Sequence, residues 1–202
     1  MTETTLRAFQ TEENEDTPLV RPATSDDALS IYELISSNVV SGHLLERSLE
    51  EVQQHATRFF AAVDSEELVG CGELAHLSMN VAEVRSLVVK KTRRKQGVGT
   101  YLLKALIDEA VSLHFPRLCA FTHSPRPFLQ TGFSIVPHPW ISPKIEIDCQ
   151  TCELFRRCDR YAVVLDLTAY LGTTRCTQLL SPPSVVVLLQ RTGTKRQLSH
   201  VD

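Results

Sequence analysis

At 202 residues, with 43% hydrophobic and 22% charged residues, the chain suits one soluble globular domain with tails. A net charge of -3 supplies no electrostatic pull toward nucleic acid or an anionic membrane surface. No apolar run approaches the roughly 18 residues of a membrane span, and the polar start "MTETTLRAFQTEENEDTP" lacks the apolar core of a secretory signal. The expectation is a cytoplasmic protein with reduced thiols, where six scattered cysteines are not a disulfide framework.

Residues 1–17 are polar and acidic and read as a disordered lead. The body spans 18–170. "LVRPA" is a short strand, followed by a helix that Thr24 or Ser25 can cap, with Asp26 and Asp27 in its first turn. Leu29, Tyr32, Leu34 and Ile35 give that helix an apolar face. "RSLEEVQQHATR" opens a second helix with Ser48 as N-cap and Glu51 three residues on, a capping box. "FFAAV" and "ELVGCGELAHL" are strands joined by "DSEE", a connection short enough for a hairpin. "EVRSLVV" is the next strand. A helix from about Val98 then carries Leu102, Leu106, Ala110 and Leu113 on one face, flanked by Leu103 and Ile107. "RLCAFT" is a buried strand, "PRPFLQTGF" a short helical turn, and "RYAVVLDL" a last strand. The order β-α-α-β-β-β-α-β-α-β is a mixed α/β layout. Residues 171–202 read as a mostly disordered tail, with Val185–Leu189 as a short apolar docking segment.

The strongest motif is "VVKKTRRKQGVGTYLLKALIDEA". A strand ends at Val89, and Arg94-x-x-Gly97-x-Gly99 leads into a helix. Two glycines let backbone approach a ligand, and the N–H groups of a helix start point outward, which makes a diphosphate-sized anion site. Lys90, Lys91, Arg93, Arg94 and Lys95 add positive charge. Neither GxGxxG nor GxxxxGK[ST] is present.

The form RxxGxG between a strand and an amphipathic helix resembles the pyrophosphate loop of the GNAT superfamily of N-acetyltransferases. "LVRPATSDDALSIYELI" is similar to that superfamily's opening strand and helix, and "FLQTGF" to its aromatic-x-x-x-Gly-Phe segment. The resemblance implies a GNAT fold. In it a mixed central sheet is flanked by helices, and acetyl-CoA is held at splayed strands and the helix after the loop. Arg94, Lys95, Gln96, Gly97, Val98, Gly99 and Thr100 would then bind the cofactor's diphosphate. The backbone of Leu87, Val88 and Val89 would pair with its pantetheine arm as an added strand does.

Further segments resemble the short, stand-alone N-acetylglutamate synthases of bacteria: "GHLLERSLEEV", "VGCGEL", "AEVRSLVV" and "PKIEIDCQTCELFRRCDRYAVVLDL". The match runs from about Leu19 to Leu167. It implies acetyl transfer from acetyl-CoA to the α-amine of L-glutamate, the entry step of arginine synthesis. A substrate with two carboxylates needs cations, and Arg85, Lys144 and Arg47 are the candidates. Ser86 lies at the substrate–thioester junction and can donate a hydrogen bond. Glu83 or Glu73, directly or through a water, can take the amine's proton. Many superfamily members carry a tyrosine acid four residues before the final Gly-Phe. Phe128 stands there in this chain, and His123 is the alternative proton donor.

Three alternatives stay open: glutamine or another small amine as acceptor, a catalytically weak acetyl-CoA-binding regulatory module, and a zinc-stabilised interaction domain. The last rests on "DCQTCELFRRC", where Cys149 and Cys152 have zinc-ligand spacing, Cys158 follows, and His138 is the nearest fourth ligand. Beside the resemblance, reduced thiols packing a loop over the active site are the preferred reading, with a redox-sensitive pair as a lesser one and no metal expected. A homodimer is left open.

Overall fold

The period-two alternation of the strands sets which face each helix covers. In β2 (Phe59–Asp64), Phe59 and Ala61 face one side while Phe60 and Ala62 face the other. The computed structural model describes residues 18–39 and 44–171, so the expected acidic lead and the tail with its Val185–Leu189 segment lie outside the described residues. Within them, β1 (Leu19–Pro22), β2, β3 (Glu67–Ser78), β4 (Val81–Val89), β5 (Arg117–Thr122), β6 (Ser134–Val136) and β7 (Tyr161–Asp166) form one sheet. Its order is β1-β2-β3-β4-β5-β7-β6. Every neighbouring pair is antiparallel except β4 and β5.

A parallel pair needs a crossover, and α3 (Val98–Ser112) supplies it. Val98, Leu102, Leu103, Leu106, Ile107 and Ala110 are buried on this helix. Leu103, Leu106, Ile107 and Ala110 pack on Leu74, Val84, Leu118 and Ala120 of the sheet, with Phe128 and Phe133 at one end, while Val98 and Leu102 pack on Ala62 and Val69. Each large aliphatic side chain buried this way contributes about 1.5–3 kcal/mol. Close approach depends on β3 lacking side chains at two points. A Cβ on Gly70 would lie 2.9 Å from Leu102, and one on Gly72 would lie 2.9 Å from Leu106.

The opposite face is covered by α1 (Ala28–Val39) and α2 (Leu49–Gln54), whose Ile31, Leu34, Ile35 and Val52 pack on Phe59, Ala61, Cys71 and Val88. Leu29, expected on the apolar face of α1, is exposed, because the buried stripe runs through Ala28, Ile31, Leu34, Ile35 and Asn38. Leu113, expected in the face of α3, is exposed because the helix ends at Ser112.

The local signals hold closely. Thr24 precedes a 3-10 turn, Ser25–Asp27, and its N–H and hydroxyl both donate to Asp27, at 2.7 and 3.0 Å. Ser48 caps α2 by accepting from the Glu51 N–H at 3.1 Å, while the Glu51 carboxylate turns to Arg47. Ser65 and Glu66 close the β2–β3 hairpin with positive φ at both positions, the requirement of a two-residue primed turn. The sequence reading omits β6. It is three residues long and takes its order from pairing with β7.

Candidate active site

β4 pairs with β5 only over Val81–Val84, although it continues to Val89. Beyond that point β5 stays with β7, and the two parallel strands part. From Arg85 to Val89, β4 keeps a strand neighbour only on the β3 side among the described residues. Opposite Gly72 the ladder slips, and Ser86 takes a φ of 48°, a bulge in β4 at the splay. The parted strands open a cavity of about 740 Å3.

One end of the cavity begins at the glycine loop. A 3-10 turn, Lys91–Arg93, follows β4, and Gly97 caps α3 with a φ of 85°, a conformation that favours glycine. A Cβ on Gly99 would meet only Val89, at 3.6 Å, so the fold itself has room for a side chain there. Arg94 ties the loop down: its Nη2 donates to Asn38 Oδ1 at 2.7 Å and its Nε to the Val89 carbonyl at 3.1 Å. Arg93 pairs with Asp64 and Lys90 with Glu67, while Lys95, at a φ of 64°, and Gln96 are exposed. The N–H of Thr100 donates to the Gly97 carbonyl at 2.8 Å, so the free N–H groups belong to the residues before it. This arrangement suits a diphosphate beside the loop and an extended arm along Leu87, Val88 and Val89. Of the residues expected to hold acetyl-CoA, Leu87, Val88, Val89 and Arg94 line the cavity, while the Val98 side chain is buried under the loop.

The other end is a cluster of buried charge. Glu83, 2% exposed, accepts from Lys144 Nζ at 2.8 Å and from Arg85 Nε. Lys144, also buried, reaches Asp148 at 2.9 Å, and Arg85 bonds the same carboxylate. Burial works to lower the Arg85 pKa, but Glu83, Asp148 and Glu73 outweigh it and raise the value above the usual range. Glu73, 1% exposed, is held by Arg47, which also bonds Glu51. His55 Nδ1 lies 3.8 Å from Glu73 and is buried without a hydrogen-bond partner. Glu83, Arg85, Ser86 and Arg47 line the cavity; Glu73 and Lys144 stand behind that wall.

His123 lines the cavity on the β5 side, 3.6 Å from Asp159. Phe128 is buried edge-on against Phe133, ring centres 5.3 Å apart, with one edge on the cavity. Lys144 closes a short helical turn, Ser142–Lys144, that continues into a π-helical turn, Ile145–Cys149. Asp148 comes from that turn, and Cys152 lines the cavity just beyond it. Cys149, Cys152 and Cys158 are free and half-buried. Burial raises the Cys149 pKa. His138 is turned away, stacked on Phe121 at 5.4 Å with its Nε2 2.8 Å from the Arg160 carbonyl. Among the described residues, no three His, Cys, Asp or Glu side chains converge as a ligand set.

Sequence reasoning missed Asn38, Glu51, His55, Asp148 and Arg160. Asn38 and Glu51 carried a weak signal, as polar residues on helix faces otherwise apolar or capped. Asp148 and Arg160 sat inside a segment read for its cysteines.

Among the described residues no helix is long and apolar enough to cross a membrane. The description "Acetyltransferase (GNAT) family" matches residues 26–133. An uncharacterized N-acetyltransferase of Chlorobaculum tepidum is 30% identical over 152 residues, 73% of this chain and 96% of the relative. An amino-acid acetyltransferase of Mycobacterium tuberculosis is 27% identical over 120 residues, 58% of this chain and 68% of the relative. The fold is similar to that of an N-acetylglutamate synthase from Neisseria gonorrhoeae complexed with coenzyme A and N-acetyl-glutamate. The TM-score is 0.66 at 25% identity, covering 74% of this chain and 35% of that one. A seven-stranded mixed sheet parted at β4, a glycine loop capping α3 and these relatives lead to one assignment: the chain belongs to the acetyltransferase (GNAT) family and is an acetyl-CoA-dependent N-acetyltransferase.

Proposed function

We propose that the chain transfers acetyl from acetyl-CoA to the α-amine of L-glutamate. The observation that carries this reading is the shared cavity. Arg94 of the glycine loop lies at one end, and Arg47, Arg85, Ser86 and Glu83 line the other. The Neisseria gonorrhoeae structure with N-acetyl-glutamate supports the same acceptor.

In the mechanism, bound acetyl-CoA supplies the activated acetyl group. Leu87, Val88 and Val89 hold its arm by backbone pairing, and the wall at Ser86 aligns the reacting carbonyl. The amine nitrogen bonds to the acetyl carbon as the carbon–sulfur bond breaks. One proton leaves the amine, and one ends on the thiolate. Holding both reactants in one cavity supplies much of the acceleration. Glu83 faces the cavity and is the group to take the amine's proton, directly or through a water; its ion pairs with Lys144 and Arg85 hold its carboxylate in place. Glu73, behind the wall, positions Arg47 instead. With Phe128 where a phenol would stand, His123 beside Asp159 is the candidate to protonate the leaving thiolate, a group that needs little help.

CoA release measured against a panel of amino acids tests the proposal. Glutamate should give the highest kcat/KM. Equal or greater release with other amino acids would move the acceptor away from glutamate. No release with any of them, despite acetyl-CoA binding, would remove amino-acid acetylation altogether.

A further inference from the structure

The cations chosen from the sequence for substrate carboxylates already have carboxylates. Arg47 bonds Glu51 and Glu73, and Arg85 and Lys144 share Glu83 and Asp148. Three cations thus meet four carboxylates, a group with one net negative charge if all are ionised. An approaching acceptor carboxylate finds no surplus positive charge there.

Arg160 differs. It precedes β7, is half-buried, and lines the same cavity. Thr122 pairs with Tyr161 in the β5–β7 ladder, so the next positions in that register are His123 and Arg160. This puts Arg160 on the β5 side of the splay, across the opening from Glu83 and Arg85 on β4. Its backbone is anchored, because its carbonyl accepts from His138 Nε2 at 2.8 Å. Among the described residues its guanidinium has neither an ion pair nor a hydrogen bond. Arg94, also unpaired with a carboxylate, belongs to the opposite end and is bonded to Asn38 and the Val89 carbonyl.

We infer that Arg160 binds the acceptor's carboxylate and so selects amino acids over simple amines. The inference rests on the amino-acid acceptor proposed above. A guanidinium presents two parallel N–H groups that match a carboxylate's two oxygens. With the carboxylate fixed on the β7 side, the amine is left facing Glu83 and Ser86 on the opposite wall. An Arg160 contact therefore sets the direction of the acceptor as well as its affinity.

The test uses Arg160→Met and Arg160→Lys in the full chain, with steady-state CoA release, calorimetric binding of N-acetyl-L-glutamate, and thermal melting. Arg160→Met should raise the acceptor KM on the order of 10–100-fold, the usual loss for a charge-assisted pair. N-acetyl-L-glutamate binding should weaken in parallel, while the acetyl-CoA KM and the melting temperature stay at wild-type values. Arg160→Lys should recover part of the loss. An equal rise for glutamate and glutamine assigns the contact to the α-carboxylate; a rise for glutamate alone assigns it to the side chain; either supports the inference. If another amino acid proves to be the acceptor, the glutamate reading fails, but a raised KM for that amino acid keeps Arg160 in its role. An unchanged acceptor KM overturns the inference. So does a drop in melting temperature with lost acetyl-CoA affinity, or acetylation confined to amines without a carboxylate.

Discussion

Gly99→Ala separates what the fold requires from what the ligand requires. Gly99 is the second residue of α3, and the added Cβ would meet Val89 at 3.6 Å, ordinary contact. The fold therefore loses nothing. Alanine is favoured over glycine by up to about 1 kcal/mol inside a helix, so about 0.5 kcal/mol is a fair gain in the first turn. For a domain of this size that raises the melting temperature of the free protein by about 1–2 °C. Acetyl-CoA binding should respond oppositely. The methyl group stands where the diphosphate approaches the outward N–H groups of the loop. Pushing the phosphate away from one charge-assisted hydrogen bond costs about 1.5–3 kcal/mol, on the order of 10–100-fold in Kd. Gly97→Ala is the contrast: its φ of 85° makes any side chain strained by about 1–2 kcal/mol, so stability should fall as well. Calorimetric titration with acetyl-CoA and thermal melts with and without it read both effects. Wild-type affinity in Gly99→Ala would refute the loop assignment, and a lower melting temperature for that free variant would refute the claim that the fold has room there.

Two other changes test different parts of the molecule. Glu83→Gln keeps the shape of a side chain that two cations hold, yet removes the proposed base. It should lower kcat by about 10²–10⁴-fold with acetyl-CoA affinity unchanged. A kcat within roughly threefold of wild type would exclude Glu83 as the base. Asp27 is held by Arg21 and the Thr24 backbone, which bring its pKa down to about 2. A depressed carboxylate pKa stabilises the folded state above the unfolded value and loses that contribution as pH falls toward about 2. With Arg21 partly exposed, the contribution at neutral pH is about 1 kcal/mol after screening. Asp27→Ala should thus melt lower than wild type at pH 7, and the gap should close in melts near pH 2. A gap independent of pH would assign the residue a role other than this ion pair.

Much of the molecule was legible from local patterns. The glycine loop, the caps at Thr24 and Ser48, the hairpin at Ser65–Glu66 and the start of α3 each depend on a few consecutive residues. Their side chains act on their own backbone, so sequence order carries the information. The period of the buried stripe on α3 was equally local, failing only at Leu113, where the helix had already ended. Leu29 shows the limit of the same logic. Which stripe of α1 is buried depends on how the helix lies against β2 and β3, and the stripe through Ala28 and Ile31 won.

The site divides along the same line. By itself the sequence determined a glycine loop of the form suited to a diphosphate, the strand before it, and a short roster of charged residues suited to acceptor chemistry. Only the tertiary structure decided how those charges combine. Glu73 bonds Arg47 from 26 residues away, Glu83 bonds Lys144 from 61, and Asp148 bonds Arg85 from 63. A buried charge needs a partner, and the one it takes is set by which strands neighbour each other and where β4 leaves β5. No spacing rule spans such separations. The same geometry puts Arg160 on the cavity wall without an ion pair among the described residues. A cation's place in the sequence says only that it is charged; whether its charge is available to a substrate is a property of the fold.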